Sequence, residues 1–310
     1  LYLNQLYPET LSACLKILIL YLMFFYENCG AKKNIVFILI AVYINFLLHN
    51  RNIVFFAIVI CFLLISNRKN LNNIFLICST LIILLGLYFL MNFMLYKSIF
   101  PYKTFTGYIP TNNIAIQQNT NIFNLADITK NFFGMLLDQK YGIIIFYPIF
   151  IFSGVGLYFL FKINKTFSWL LFFSFIFNLI FLSAQQLSSW TAGSAIPGRY
   201  LVFLTPELFI FSYTALFAFS KSKKIKKIFV LFIAYSLIIK FLLNLFHTLK
   251  FSSGHKTNQL FQHIANFLKF RFYEALPFCN PSQYNNLLII YLFVILLVNI
   301  WLIKKLKNIN

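Results

Sequence analysis

Apolar runs recur along the whole chain and are separated by short polar breaks. They occupy roughly residues 11–26, 34–49, 52–66, 72–96, 142–161, 166–184, 200–220, 228–247 and 286–303. At about 1.5 Å of rise per residue, most can cross ~30 Å of hydrocarbon. Among lipid tails each run must be a helix, because every backbone N–H and C=O then needs a partner within its own segment. The pattern predicts an all-α, polytopic integral membrane helix bundle with about nine transmembrane helices, forming a single membrane domain over residues 1–310. The second and third runs are short, and one hairpin turning at His49-Asn50-Arg51 is the alternative for that pair.

The polar breaks orient the spans. Lys32-Lys33, Arg68-Lys69, Lys162 with Lys165, the run from Lys221 to Lys227, and Lys304-Lys305 with Lys307 all fall on one face if the spans alternate. The positive-inside rule makes that face cytoplasmic. The expected location is a bacterial inner membrane, with the N-terminus of this chain outside and its C-terminus in the cytoplasm. The outer loops are then 97–141, 185–199 and 248–285. The outer face also holds four of the six acids, namely Glu9, Asp127, Asp138 and Glu274. A site facing outward, or lying at the outer membrane boundary, is expected. In the first long loop, residues 122–136 read as an amphipathic helix. Leu125, Ile128, Phe132, Phe133 and Leu136 share one face, Asp127, Lys130 and Asn131 point elsewhere, and Asn124 can cap it. Such a helix suits the membrane interface, or equally packs against the spans.

Composition agrees with a second, apolar solvent. Of 310 residues, 61% are hydrophobic and 10% charged, against about a quarter charged in soluble domains. The 42 Phe residues exceed what one soluble core can hide. A formal charge of +20 raises nucleic acid as a partner. The clustering of the basic residues between apolar runs removes it, because membrane insertion places them there. Membrane lipids are the expected partners. Cys14, Cys29, Cys61, Cys78 and Cys279 have no CxxC spacing, so no metal site or disulfide framework is read. His247, His255 and His263 recur every eight residues, which is not a ligand spacing. No phosphate-loop motif is present. The chain opens on Leu1 without a basic segment ahead of the first apolar run, unlike a signal peptide. Either an unusual start codon or an upstream segment is expected.

A few polar residues stand where chemistry is possible. Leu137-Asp138-Gln139-Lys140-Tyr141-Gly142 leads into a span that continues through Tyr147-Pro148. It reads as a loop end with interfacial tyrosines, or as an acid and aromatics facing a site. Trp190 to Tyr200 contains Gly193, Pro197 and Gly198, which let backbone approach a ligand closely, and ends on Arg199-Tyr200. Arg199 at the head of a span can grip a phosphate through its planar fork, or can snorkel beside a Trp/Tyr belt. Glu207 follows Pro206 inside that span, where a carboxylate is costly and marks a functional candidate. The simpler account is a carboxyl that is protonated or paired, for example with Lys240. Glu9 precedes the first span and Arg51 marks the hairpin tip. Pairing explains these charges as well as catalysis does.

Tyr7-Pro8-Glu9 before an apolar helix, the basic turn at Arg51, Leu137 to Gly142 before a Tyr-Pro span, and Pro197-Gly198-Arg199-Tyr200 at the head of another occur in a recognisable order. Over roughly residues 1–220 this resembles the C-terminal two-thirds of bacterial membrane glycosyltransferases of the GT-C type, including mannosyltransferase-like and aminoarabinose-transferase-like proteins. The resemblance implies transfer of a sugar from a polyprenyl-phosphate donor to an acceptor on the outer face. It implies Arg199 and Arg51 as donor-phosphate ligands, and Glu9 and Asp138 as catalytic candidates. Tyr141, Trp190, Gly198, Tyr200 and Glu207 would line the site. No cofactor is fixed by it; a divalent metal is compatible. Two departures stand out. Gly and Pro are exchanged in the motif before Arg199. The family's main catalytic acid, in the first outer loop, has no counterpart, so Glu9 must do its work or the residue is missing. A truncated chain that does not transfer sugar alone is the resulting expectation. The competing readings are a transporter or flippase, an O-antigen polymerase or ligase, and a non-catalytic remnant. The transporter would need paired charges in mid-membrane positions and an internal repeat.

Overall fold

The computed structural model describes residues 8–29, 33–48, 52–96, 125–139, 142–185, 199–220, 222–245, 258–277, 279–280, 283–284 and 287–307. Apart from one two-residue ladder, pairing Cys279–Asn280 with Gln283–Tyr284, the regular elements are helical. They are α1 (Pro8–Cys29), α2 (Lys33–Leu48), α3 (Ile53–Ser66), α4 (Leu71–Tyr96), α5 (Leu125–Leu137), α6 (Ile143–Phe146), α7 (Ser153–Ile163), α8 (Lys165–Gln185), α9 (Thr205–Ala218), α10 (Lys223–Leu245), α11 (Gln259–Leu268) and α12 (Leu287–Lys307). Short 3₁₀ turns over Pro148–Phe152 and Arg199–Leu204 lead into α7 and α9. Every predicted apolar run is helical over most of its length. Among the described residues, four stretches are both long and apolar enough to cross a membrane: Glu9–Glu27, Leu71–Met94, Lys165–Ala184 and Leu201–Ala218. In α4 only 6% of the apolar window is buried within the protein. A surface like that needs an apolar surrounding.

The chain divides into two compact units, Leu1–Ile17 with Leu125–Asn310, and Leu18–Asn124. In the second, Phe46 of α2 packs on Phe56 of α3 and Tyr88 of α4, with ring centroids 5.5 and 5.3 Å apart. Its buried amides form a neutral network, while Glu27 Oε2 is buried without a hydrogen-bond partner among the described residues. Asn67, at the end of α3, accepts from the Tyr26 hydroxyl at 2.6 Å and from Asn73 Nδ2 at 2.7 Å, and donates to the Leu63 carbonyl at 2.7 Å. Asn52 donates to Asn45 across the α2–α3 turn.

In the larger unit one predicted span is not a continuous helix. Pro148 has no N–H and its ring clashes with the preceding turn, so Tyr147 leaves the helical region at φ −131°, ψ 71°. The break frees backbone groups that lipid cannot satisfy. Asn299 of α12 takes them up: its Oδ1 accepts from Val155 N at 2.9 Å, and its Nδ2 donates to the Ile151 carbonyl at 2.9 Å. Pro206, by contrast, sits in the first turn of α9, where its missing N–H costs nothing. α7 and α9 pack tightly, and a Cβ on Gly156 would overlap the Phe211 carbonyl. Between α7 and α8, Asn164 accepts from Phe167 N at 2.9 Å and caps α8. One apolar core joins Met135 and Leu137 of α5, Leu179 and Leu182 of α8, and Leu201 to Leu208. A second centres on Phe152 stacked against Phe229, 4.3 Å between centroids.

The helix expected at 122–136 is present as α5, and it packs inside the unit. Of the residues expected on its apolar face, Leu125 is exposed, and Asn131, expected to point elsewhere, is buried. Asn131 Nδ2 donates to the Ser183 carbonyl at 3.0 Å. Ser183 lies in the last turn of α8, whose carbonyls have no helical partner. A polar residue therefore goes inward because the neighbouring helix end requires a donor. Asn124 lies outside the described residues.

Candidate functional site

α1 is apolar around most of its circumference, but Glu9, Ser12 and Lys16 fall three and four residues apart and share one face. All three are buried, Lys16 to 1% exposure. Glu9 and Ser12 are both engaged within the fold. Lys16 lies about 12 Å along α1 from its first residue at the usual rise.

Lys16 meets Glu207 of α9. Its Nζ stands 2.5 Å from Glu207 Oε1, with both side chains almost wholly buried. The same ammonium donates to the Phe203 carbonyl at 3.0 Å and lies 5.3 Å from the centroid of the Phe203 ring. Ser174 Oγ of α8 donates to Glu207 Oε1. Three helices and the 3₁₀ turn thus converge on one ion pair. Glu207 is in the first turn of α9, where the positive end of the helix dipole favours a carboxylate. Its second oxygen, Oε2, is buried and has no hydrogen-bond partner among the described residues. One turn along α8, Asn178 donates Nδ2 to the Ser174 carbonyl at 2.6 Å, and its Oδ1 is likewise buried without a partner. The site therefore holds one neutralised charge pair and two spare acceptors, which suit a hydroxyl or amine donor.

Taking Lys240 as the partner of Glu207 is wrong. Lys240 is exposed on α10, and Lys16 occupies that role. Lys16 went unread as a site residue, although a lone lysine within the apolar run 11–26 was the available signal. Asp138 is buried at the end of α5, where its carbonyl accepts from Gly142 N at 2.7 Å. The adjoining Gln139 receives Asn258 Nδ2 at 3.1 Å on its carbonyl and gives its N–H to the Pro277 carbonyl at 2.8 Å. Asp138 thus marks a junction of three chain segments. The backbones of Arg199 and Tyr200 open the 3₁₀ turn whose Phe203 carbonyl Lys16 holds, while their side chains lie outside the description. Arg51, Tyr141, Trp190 and Gly198 lie outside the described residues altogether. His263 is exposed on α11, His247 and His255 are not described, and no group of three metal-binding side chains occurs among the described residues.

No protein-family model matches this chain, and neither a curated protein nor a solved structure matches it.

Proposed function

We propose that this is a multi-pass protein of a bacterial inner membrane, with about nine spans, that binds a polyprenyl-phosphate-linked sugar at its outer face as GT-C type glycosyltransferases do. The N-terminus of this chain and the loops 97–141, 185–199 and 248–285 are outside, and the run 221–227 is inside. The observation that supports a lipid-phosphate site is the bracing of the turn that begins at Arg199. Lys16 ties that turn, through the Phe203 carbonyl, to the carboxylate of Glu207. A protein that only crosses a bilayer has no need of a buried ion pair, and such pairs mark substrate or ion pathways. With its charge matched by Lys16, Glu207 serves as a positioning residue, and Arg199 supplies a guanidinium for a phosphate.

The test is binding of a polyprenyl-phosphate sugar to the purified chain in lipid nanodiscs. Arg199→Ala should weaken binding at least about tenfold, the loss expected for a charge-assisted bidentate contact. Arg199→Lys should not restore it. Unchanged binding by the folded Arg199→Ala protein would return Arg199 to a snorkelling role.

One observation favours the transporter reading. Paired charges inside spans were its requirement, and Lys16–Glu207 is such a pair. Counterflow of a labelled lipid-linked sugar across proteoliposomes, without transfer to any acceptor, would select it.

A further inference from the structure

α11 packs by one face only. Leu260, Phe261 and Ala265 are buried, with Phe261 stacked on Phe146 at 5.9 Å between ring centroids. Past Ala265 the helix leaves the core. Phe267 is 86% exposed, Leu268 57% and Phe270 68%, and Lys269 and Arg271 alternate with them in the open. Arg271 has Glu274 at 3.4 Å, and Lys269 is exposed.

The backbone here is unusual. Lys269 is the non-glycine residue with positive φ among the described residues, at 52°. It ends α11 in the left-handed conformation, with Phe270 N donating back to the Ala265 carbonyl at 3.0 Å. Glycine is the common residue at such a helix end. A lysine there gives up that ease and places an ammonium between two exposed aromatic side chains.

We propose that residues 267–271 anchor this loop in the membrane interface, with Phe267, Leu268 and Phe270 entering the acyl boundary and Lys269 and Arg271 holding the phosphates of anionic phospholipids. Three apolar and two basic side chains within five residues match the two chemistries stacked at a bilayer surface, acyl carbon below and phosphate above. Of the two readings of residues 122–136, interfacial or packed against the spans, the packing of α5 favours the second and leaves the interfacial role to this segment. The proposal rests on the reading of this chain as a membrane protein, and the test separates the two.

The wild-type chain is placed in nanodiscs of phosphatidylcholine alone, or with phosphatidylglycerol. Each carries trace photoreactive phosphatidylglycerol, with its diazirine either at the glycerol or at the acyl terminus, and adducts are mapped by mass spectrometry. The glycerol probe should label residues 267–271, and the acyl-terminal probe should label the exposed face of α4 at Phe75 and Ile82. Replacing Lys269 by Gly, which suits the turn, together with Arg271→Gln, should cut the glycerol-probe labelling. About fivefold is expected per basic residue near an anionic surface, and less for Arg271 because Glu274 already faces it. Labelling of α4 without labelling of 267–271 overturns the anchor and leaves the membrane reading intact. So does labelling of 267–271 that is unchanged in the double variant, which removes the phosphate contacts. No labelling of α4 overturns the membrane reading itself.

Discussion

The two units handle buried polarity differently, although each keeps a carboxylate oxygen buried without a partner among the described residues, Glu27 Oε2 in the smaller and Glu207 Oε2 in the larger. Around Asn67 the smaller unit closes its polar groups with neutral amides and a tyrosine hydroxyl, at a turn between helices. The larger unit carries a full ion pair between α1 and α9, held by Ser174 and a backbone carbonyl, with a carboxylate oxygen left over. The first arrangement is what folding alone demands, since a freed helix end needs donors and acceptors. The second exceeds that demand. A buried ion pair is weak evidence for stability, because well-packed apolar residues often serve as well. The difference makes the larger unit the place to test for function.

The sharpest way to break this contrast is to remove one charge of the Lys16–Glu207 pair. Lys16→Met leaves Glu207 buried and unpaired, and should lower unfolding free energy by about 3–5 kcal/mol. Thermal unfolding in nanodiscs reads it; a loss near that of an exposed lysine would show the pair to be structurally idle. Next in size is the α12 amide. Asn299→Leu strands the Val155 N–H and the Ile151 carbonyl at the Pro148 break, costing about 1–3 kcal/mol for each buried group left without a partner. Close to it, Gly156→Ala should force α7 and α9 apart and cost about 1–3 kcal/mol by overpacking, with no comparable loss for Gly86→Ala, where a Cβ meets nothing. The smallest effect belongs to the smaller unit. Tyr26→Phe removes one neutral hydrogen bond to Asn67 and should cost about 1 kcal/mol. A larger loss there than at Lys16 would invert the comparison.

Helix positions were legible because hydrophobic runs in lipid have few alternatives. Residues 142–161 read as one continuous span, and neither the break at Pro148 nor the residue that repairs it follows from the apolar pattern. Asn299 sits well over a hundred residues away, and its place opposite the break follows from tertiary packing. Asn131 was misplaced for the same reason. Helical periodicity ranks it with the polar face, and the carbonyl of Ser183 draws it inward. Glu207 could be picked out from the rarity of acids in spans. Its partner could not be chosen from sequence, because two lysines lay in apolar runs and only packing brings Lys16 rather than Lys240 to it.

The most direct measurement is made on the double variant Lys16→Met/Glu207→Leu in nanodiscs, comparing thermal stability and polyprenyl-phosphate-sugar binding with the wild type. Removing both charges leaves no unpaired charge, only the Ser174 hydroxyl and the Phe203 carbonyl without that partner, so most of the Lys16→Met loss should be recovered. Binding should still fall at least about tenfold, because the turn that begins at Arg199 has lost its brace and a displaced ligand contact is worth that much. A double variant that is stable and binds as the wild type does would contradict the account.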